Sequence, residues 1–457
     1  MNPANWNAMV DRINGYTSGT ATFVNPTNYV ISTDGTDYYA NNAFHLVFGG
    51  PTDEGTVDGG DLLAVLVAAM GTGNVKLSFT DGTFTADELI TQVDLVDNVE
   101  IEGAGIDATT IIQSKNDSLF EYIDDASPIS NVYIHDLTLQ GSNVGTSNVG
   151  IQTYKGVAAT TTVNWLRLNR VRFTAWDSMP CHAGNINHLR VHDCIFDSPT
   201  DTYDFLAFDG SDVDISGCYS TRSDAASHFT AGGGSNIRIH DNTMVETGAT
   251  IGYGGVSLEG YVASGYNDVW IRDNILNFCK LNLEVTPNNV DFDNIHILDN
   301  TLQNSTIGIN GGDASDITNL YIRGNHIEPA YDPGTGKIPI GFYNQISNVW
   351  IDGNFLDSTA PTFSPGIGTG LAHFHWGENE GFITQTAGTT AALANGETFN
   401  HGLTIGVGLL PDSVVLTQSG GSLNFWISAW TNTTVTVGLE GAGDASFCWI
   451  AEYKPYK

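Results

Sequence analysis

The chain has 457 residues, 41% of them hydrophobic, and sets 16 Lys and Arg against 51 Asp and Glu, a formal net charge of −35. So large an excess of negative charge excludes duplex nucleic acid as a partner, since that binding is driven by cationic contacts to phosphate. No apolar run is long enough for a membrane-spanning helix.

In chain order, the opening MNPANWNAMVDRINGY lacks the basic and apolar regions of a signal peptide. Any role outside a cell is therefore expected to be reached by another route. Trp6, Met9, Val10 and Ile13 form one apolar stripe, predicting a helix over 4–14. So short a helix needs a partner chain or a docking surface, and residues 1–57 are expected to serve attachment and oligomerisation. NYVISTDGTDYYANNAFHLVFGG reads as small strands joined by turns such as Asp34-Gly35. DGGDLLAVLVAAMGTG reads as a helix with Asp61 as N-cap and Gly71 at its end. Leu62, Leu63, Val65, Leu66 and Ala69 make it apolar enough to cover the open end of a solenoid. VKLSFTDGTFT then begins the first coil.

The body, 58–381, repeats one phrase: NIRIHDNTMV, DVWIRDNILN, NIHILDNTLQ, NLYIRGNHIE and NVWIDGNFLD. Aligned on the central apolar residue, the anchors are Ile101, Ile134, Leu168, Val191, Ile215, Ile239, Ile271, Ile297, Ile322 and Ile351. The residue two before each anchor is apolar. So is the residue five after, except at Ser220. Alternation with period two marks a strand with one buried face, and a strand-bearing repeat of about 20–30 residues marks a solenoid. The third position after the anchor changes from Ala104, Leu137, Val171, Cys194 and Cys218 to Asn242, Asn274, Asn300, Asn325 and Asn354. Asn at the inside of a bend bonds backbone and, stacked, bonds its neighbours. The fold class is therefore all-β, a parallel β-helix with an N-terminal capping helix. Cys181, Cys194, Cys218, Cys279 and Cys448 show no metal-ligand spacing. Cys194 and Cys218 are read as small buried ladder residues.

VKLSFTDGTFT followed by NVEIEGAGIDATTIIQS resembles the opening of the pectate-lyase-like right-handed β-helix superfamily. YVISTDGTDYYANN with the capping helix resembles the version found in spike proteins of tailed viruses, over roughly residues 27–375. The resemblance implies a right-handed coil. Past Trp376 the pattern changes: SVVLTQS, LNFWISAW, TVTVGLE and SFCWIAEY predict a small antiparallel β-sandwich over 382–457. This resembles the modules that end many viral fibres. His401 is expected to be a satisfied edge histidine. Trp426, Trp430 and Trp449 are expected in the sandwich core or at a subunit contact.

Chemistry on such a scaffold is expected on an outer sheet face. In the later strand of each coil, Leu206 and Phe208, Phe229 and Ala231, Val256 and Leu258, Leu281 and Leu283, and Ile307 and Ile309 read as inward. The outward columns are then expected to be Ala207, Thr230, Glu259, Glu284 and Asn310, and beside them His182, His228, Ser257 and Asn282. Glu259 and Glu284 are the candidate catalytic pair or cation site, for calcium, magnesium, sodium or potassium; no cofactor is required. Coils about 4.8 Å apart bring them near the separation of a retaining glycosidase pair. Asp201, Asp204, Asp209, Arg222 and Asp224 are placed nearby. An insertion, ETGATIGYGGVSLEGYVASGYN, offers Tyr253, Tyr261 and Tyr266 for stacking on sugar. The candidate glycan-binding set is His182, Asp204, Asp209, Arg222, His228, Tyr253, Tyr261, Tyr266 and Asn282. The pectate lyase pattern of calcium-binding Asp residues with a basic acceptor does not carry over. Neither does the polygalacturonase pattern, since Asp124-Asp125 lies in the wrong segment and no Gly-His-Gly occurs.

These features predict a virion spike, assembled in the host cytoplasm, that acts at the cell surface by binding a host glycan or glycoprotein. A homotrimer is expected, with a capsid-vertex pentamer as the alternative assembly, joined to other virion proteins through the N-terminal segment. The alternative function is a polysaccharide-degrading hydrolase or lyase. Low Lys with high Asp is also the composition of proteins from salt-loving organisms. At about 1 M salt the Debye length falls to roughly 3 Å and self-repulsion is screened. The melting temperature is expected to climb steeply between about 0.1 M and about 2 M potassium chloride; a flat profile would count against salt adaptation.

Overall fold

The computed structural model describes residues 27–42, 46–50, 60–71, 73–86, 93–122, 128–142, 149–153, 163–176, 178–197, 205–222, 227–247, 254–259, 265–284, 291–310, 317–328, 340–343, 346–356, 364–365, 372–376, 379, 385–403, 410–420, 423–440 and 443–452. The expected helix over 4–14 lies outside these residues.

Each coil contributes strands to three parallel sheets. In the first sheet the register runs Leu77, Ile101, Ile134, Leu168, Val191, Ile215, Ile239, Ile271, Ile297, Ile322, Ile351, Trp376. The anchors from Leu77 to Ile351 are buried, as are the apolar residues two positions before them. The chain is a parallel β-helix. The expected ladder stands and gains a rung at each end.

The phrase carries more than the anchor. Its first letter, three before the anchor, is held left-handed at Asn98, Asn131, Asp212, Asn236, Asp268, Asn294, Asn319 and Asn348, with φ between 53° and 58°. Its sixth letter, two after the anchor, is left-handed as well: Asp136, Asp193, Asp241, Asp273 and Asp299, then Gly324 and Gly353. Asn, Asp and Gly adopt that region at least cost. From Ile215 to Ile351 each first-sheet strand is thus bracketed by two left-handed corners, and the spelling of the phrase follows from them. The first-letter amides also bond along the axis, Asn98 Nδ2 donating to Asn74 Oδ1 (3.1 Å) and Asn131 Nδ2 to Asn98 Oδ1 (2.8 Å).

The seventh letter is the buried Asn. Asn242, Asn274, Asn300, Asn325 and Asn354 are at most 1% exposed. Asn300 Nδ2 donates to the Ile271 carbonyl (2.9 Å) and to Asn325 Oδ1 (3.0 Å). Its own Oδ1 accepts from the side chain and backbone N–H of Asn274. The pattern repeats to Asn354, which donates to Asn379 Oδ1 (2.8 Å). At the other end the Cys218 N–H donates to Asn242 Oδ1 (2.9 Å). Cys194 and Cys218 are buried free thiols in the same column, as expected.

The helix Leu62–Met70 begins at Asp61, whose carboxylate accepts from the Ala64 N–H (3.1 Å), and ends at Gly71, φ 53°. Leu62, Leu63, Val65, Leu66, Ala69 and Met70 are buried against the end of the coil. Thr27–Thr33 pairs parallel with the first-coil strand Val75–Phe79 and antiparallel with Tyr38–Asn41.

Residues 385–452 form two three-stranded antiparallel sheets around Leu393, Val437, Leu439 and Phe447. His401 is buried, its Nδ1 accepting from the Leu403 N–H (3.1 Å), as expected of a satisfied histidine. Trp449 packs half-buried on Leu403 and Ala451. Trp426 and Trp430 differ from a core placement, at 51% and 36% exposed. Trp426 lies across Gly438, where a Cβ would come within 2.3 Å of the indole.

Asn300→Leu strips partners from Asn274, from Asn325 and from the Ile271 carbonyl. Each buried group left unpaired costs about 1–3 kcal/mol, so the variant is expected to lose about 3 kcal/mol or more in urea denaturation. A loss within error of zero would mean that the amide ladder does not hold the coils.

Candidate functional site

The inward lines of the third sheet are as expected. Leu206, Phe229, Val256, Leu281 and Ile307 are register partners, as are Phe208, Ala231, Leu258, Leu283 and Ile309, and all are buried. The outward lines group differently. His182, Ala207, Thr230, Ser257, Asn282 and Gly308 form one column. Glu259, Glu284 and Asn310 form the next. Ala207 and Thr230 do not join the glutamates. Each lies between the two inward residues of its strand, as Ser257 lies between Val256 and Leu258, whereas Glu259 and Glu284 follow the second inward residue. Further along Ser227–His240 a bulge leaves Gly232 unmatched, since Phe208 pairs with Ala231 but Asp209 with Gly233.

Glu259 and Glu284 are register partners on adjacent coils. Ser257 Oγ donates to Glu259 Oε1 (2.9 Å), holding that carboxylate over the column beside it. Asp209 follows Phe208 as Glu259 follows Leu258, so it continues the carboxylate column beyond a gap filled by Gly232 and Gly233. Burial raises the Asp209 carboxyl above the usual range, although the Asn185 N–H donates to it. The polar column is sheltered. Thr230 and Ser257 are at most 3% exposed, and burial pushes His182 down to about 4, so its imidazole is neutral.

Two expected surface residues are inside the coil. His228 is 1% exposed, with Nδ1 2.6 Å from Ser220 Oγ and Nε2 3.5 Å from Cys279 Sγ. Ser220, the one break in its apolar column, is thus the partner of the one imidazole among the described residues enclosed so fully in that part of the coil. Arg222 is also 1% exposed. It donates to the Ser227 carbonyl (2.6 Å) and lies 4.8 Å from the Phe205 ring centre. A serine, a histidine and a cysteine in contact suggest nucleophilic chemistry. Here the set is enclosed, and burial pushes the Cys279 thiol up to about 12, so no thiolate forms at neutral pH.

Tyr266 is likewise buried, at 3% exposed. Its hydroxyl lies 2.6 Å from the Glu259 carbonyl and its ring stacks on Phe292 at 4.5 Å, which withdraws it from a sugar. It braces the strand carrying Glu259 instead. Asp201, Asp204, Asp224, Tyr253 and Tyr261 lie outside the described residues, as do the side chains of Asn282 and Glu284.

The first sheet presents a different outer face. Trp270, His296, Tyr321 and Trp350 are register partners just before their anchors, and their rings stack at 3.8, 4.5 and 4.6 Å. Both faces of His296 and Tyr321 are covered by neighbouring rings, so the stack stiffens the coil. The third letter of the phrase (W, H, Y, W) signalled this ladder. Nearer the N-terminus, Glu100, Glu102 and His135 bring ligand atoms together. The Lys76 ammonium already occupies that cluster, 2.7 Å from Glu100 Oε1 and bonded to Glu102.

No family model matches the sequence, and no curated protein matches it. Among solved structures the chain is similar to the A-module of Azotobacter vinelandii mannuronan C-5 epimerase AlgE6, at 13% identity over 69% of this chain and 93% of that one, TM-score 0.37. It is similar to DFA-IIIase from Arthrobacter chlorophenolicus A6 in complex with DFA-III, at 12% identity over 68% and 80%, TM-score 0.42. It is similar to the tailspike protein of E. coli bacteriophage HK620 in complex with a pentasaccharide, at 12% identity over 85% and 88%, TM-score 0.37. At such identities and TM-scores they carry no argument about chemistry, and the fold assignment rests on the strand register.

His228 and His182 give stability a defined acid limb. Burial, with the Arg222 charge second, holds His228 well below the usual range, and burial alone holds His182 near 4. Above about pH 6.5 both states are neutral at these sites; as pH falls, the unfolded chain takes protons that the folded chain refuses. Stability contributed by these groups is therefore lost from about pH 6.5 downward. His228→Asn is expected to shrink the difference in urea midpoint between about pH 7.5 and about pH 4.5. An unchanged difference would remove His228 from the acid limb.

Proposed function

We propose that this protein is a virion spike that adheres to a host cell-surface glycan through the outer face of its third sheet. The observation that carries the reading is the sheltered polar lane there. His182, Thr230 and Ser257 face outward yet are withdrawn from water, beside the column of Asp209, Glu259 and Glu284. Neutral hydroxyl, amide and imidazole groups next to carboxylates suit sugar hydroxyls, which donate and accept at once. The stacked outer face of the first sheet lacks this character. A stiff, end-capped coil is suited to presenting such a lane away from a particle. The protein acts as a homotrimer, attached to other virion proteins through its N-terminal segment and assembled in the host cytoplasm. Exposed Trp426, Trp430, Val415 and Ile450 on the C-terminal module supply apolar surface for contacts between copies. Its charge adapts it to high salt.

A second reading, hydrolysis, is favoured by one observation: Glu259 and Glu284 are register partners. Adjacent coils are about 4.8 Å apart, close to the roughly 5 Å of a retaining pair, and two like charges at that distance favour either one protonated carboxyl or a bound cation such as calcium.

The double variant Glu259→Gln, Glu284→Gln separates the readings. Adsorption to host surface polysaccharide is expected to fall about tenfold or more, with no new reducing ends or unsaturated sugars released by the parent protein. Release of such ends by the parent, abolished in the variant with adsorption kept, would establish the enzyme instead. Adsorption unchanged and no release would place recognition elsewhere.

A further inference from the structure

We propose that the groove where the third sheet runs into the first binds one neutral, hydroxyl-rich glycosyl unit. The assignment rests on the glycan-adhesion reading and locates one contact of it.

In two successive coils the chain makes no separate connection between these sheets. Leu206–Ser216 and Ser227–His240 are each one continuous strand serving both. The corner is turned on glycine, Gly210 at φ 151° and Gly234 at φ 140°. A Cβ on Gly210 would lie 1.9 Å from the Ile186 carbonyl oxygen, and one on Gly234 1.8 Å from that of Gly210. No side chain fits there. Backbone therefore stacks on backbone, and the missing side chains leave an open groove of about 310 Å³.

Its walls are Asn185, Asn187, Asp209, Ser211, Ser235 and Asn267. Among the described residues no Lys or Arg lines it, so an anion finds no counter-charge there in a chain of net charge −35. A single carboxylate among amides and hydroxyls is too few hard anionic oxygens for a dedicated calcium cage. What remains is a set of neutral donors and acceptors suited to hydroxyl groups. Two features point to an occupant. The Asn185 side-chain Nδ2 is buried and has no hydrogen-bond partner, and a buried donor in that state is costly unless a ligand completes it. Asn185 is also held left-handed, φ 55°, while its N–H donates to Asp209. The Asp209 carboxyl is thereby fixed at the wall, where it can take a pair of sugar hydroxyls. The volume is at the lower end of the range of about 300–1,000 Å³ seen for ligand pockets, which suits one ring rather than an oligosaccharide.

The test is saturation-transfer NMR on the full chain with the methyl α-glycosides of glucose, galactose and mannose, each with and without calcium chloride. Transfer to at least one glycoside is expected, weakened about tenfold by Asp209→Asn, the loss of one charged hydrogen bond. Ser235→Arg, which lays a long side chain across the groove, is expected to abolish it. Asn267→Trp closes the rim from another coil and serves if Ser235→Arg fails to fold. Absence of transfer to all three glycosides, transfer that survives both filling variants, or a calcium-dependent chemical shift in place of transfer would each overturn the proposal. Adsorption of the parent protein to host surface polysaccharide is measured in parallel. Its failure overturns the adhesion reading, whereas adsorption kept without glycoside transfer overturns the groove alone.

Discussion

A primary amide buried at a bend has two donors and an acceptor to satisfy, and in this chain partners in the neighbouring coils satisfy them. Asn300 reaches back to the Ile271 carbonyl and forward to Asn325, and it receives from Asn274. Displacing one coil by a residue would unpair several such groups at once, at about 1–3 kcal/mol each. The ladder from Asn242 to Asn379 therefore fixes the phase of every coil it passes through, and with it which side chains face out. The aromatic stack and the alignment of Glu259 with Glu284 are both consequences of that fixed phase.

Where the ladder is absent, phase is kept by other means. Above Asn242 the same column holds Cys218, Cys194, Val171 and Leu137, all buried, and register rests on packing and on the left-handed corners. This is also where the coil is least regular. The bulge at Gly232, the strands that run unbroken through a corner, and the interior group of Ser220, Arg222 and His228 lie close together in sequence. The groove belongs to this stretch. Its departure from the repeat makes a concave feature on the surface.

Most of the scaffold was legible in the sequence because its rules are local. An anchor, its apolar partner two residues earlier and an Asn three later lie within one strand and one bend, and the capping helix announces itself through Asp61 and Gly71. The site was legible only in part. Ser220 was visible as an exception, but its partner His228 lies across a corner on another sheet, so period-two counting sent the imidazole outward. Arg222 and Tyr266 were misjudged for a related reason: a charge or a phenol reads as surface unless its buried partner, here the Ser227 carbonyl or the Glu259 carbonyl, is known. The pairing of Glu259 with Glu284 was legible because each directly follows an inward leucine, Leu258 and Leu283, in strands of unbroken register.

Parallel strands stacked in register expose, at a terminal coil, a full row of unpaired backbone groups that another chain could extend. Here Thr27–Thr33 adds one more parallel rung, but its outer neighbour Tyr38–Asn41 runs the opposite way, and the helix Leu62–Met70 fills the apolar bore beneath. A change of strand direction acts as a terminator, because an incoming parallel coil meets the wrong hydrogen-bond spacing. The architecture is that of a fibre, and this end gives it a finite length.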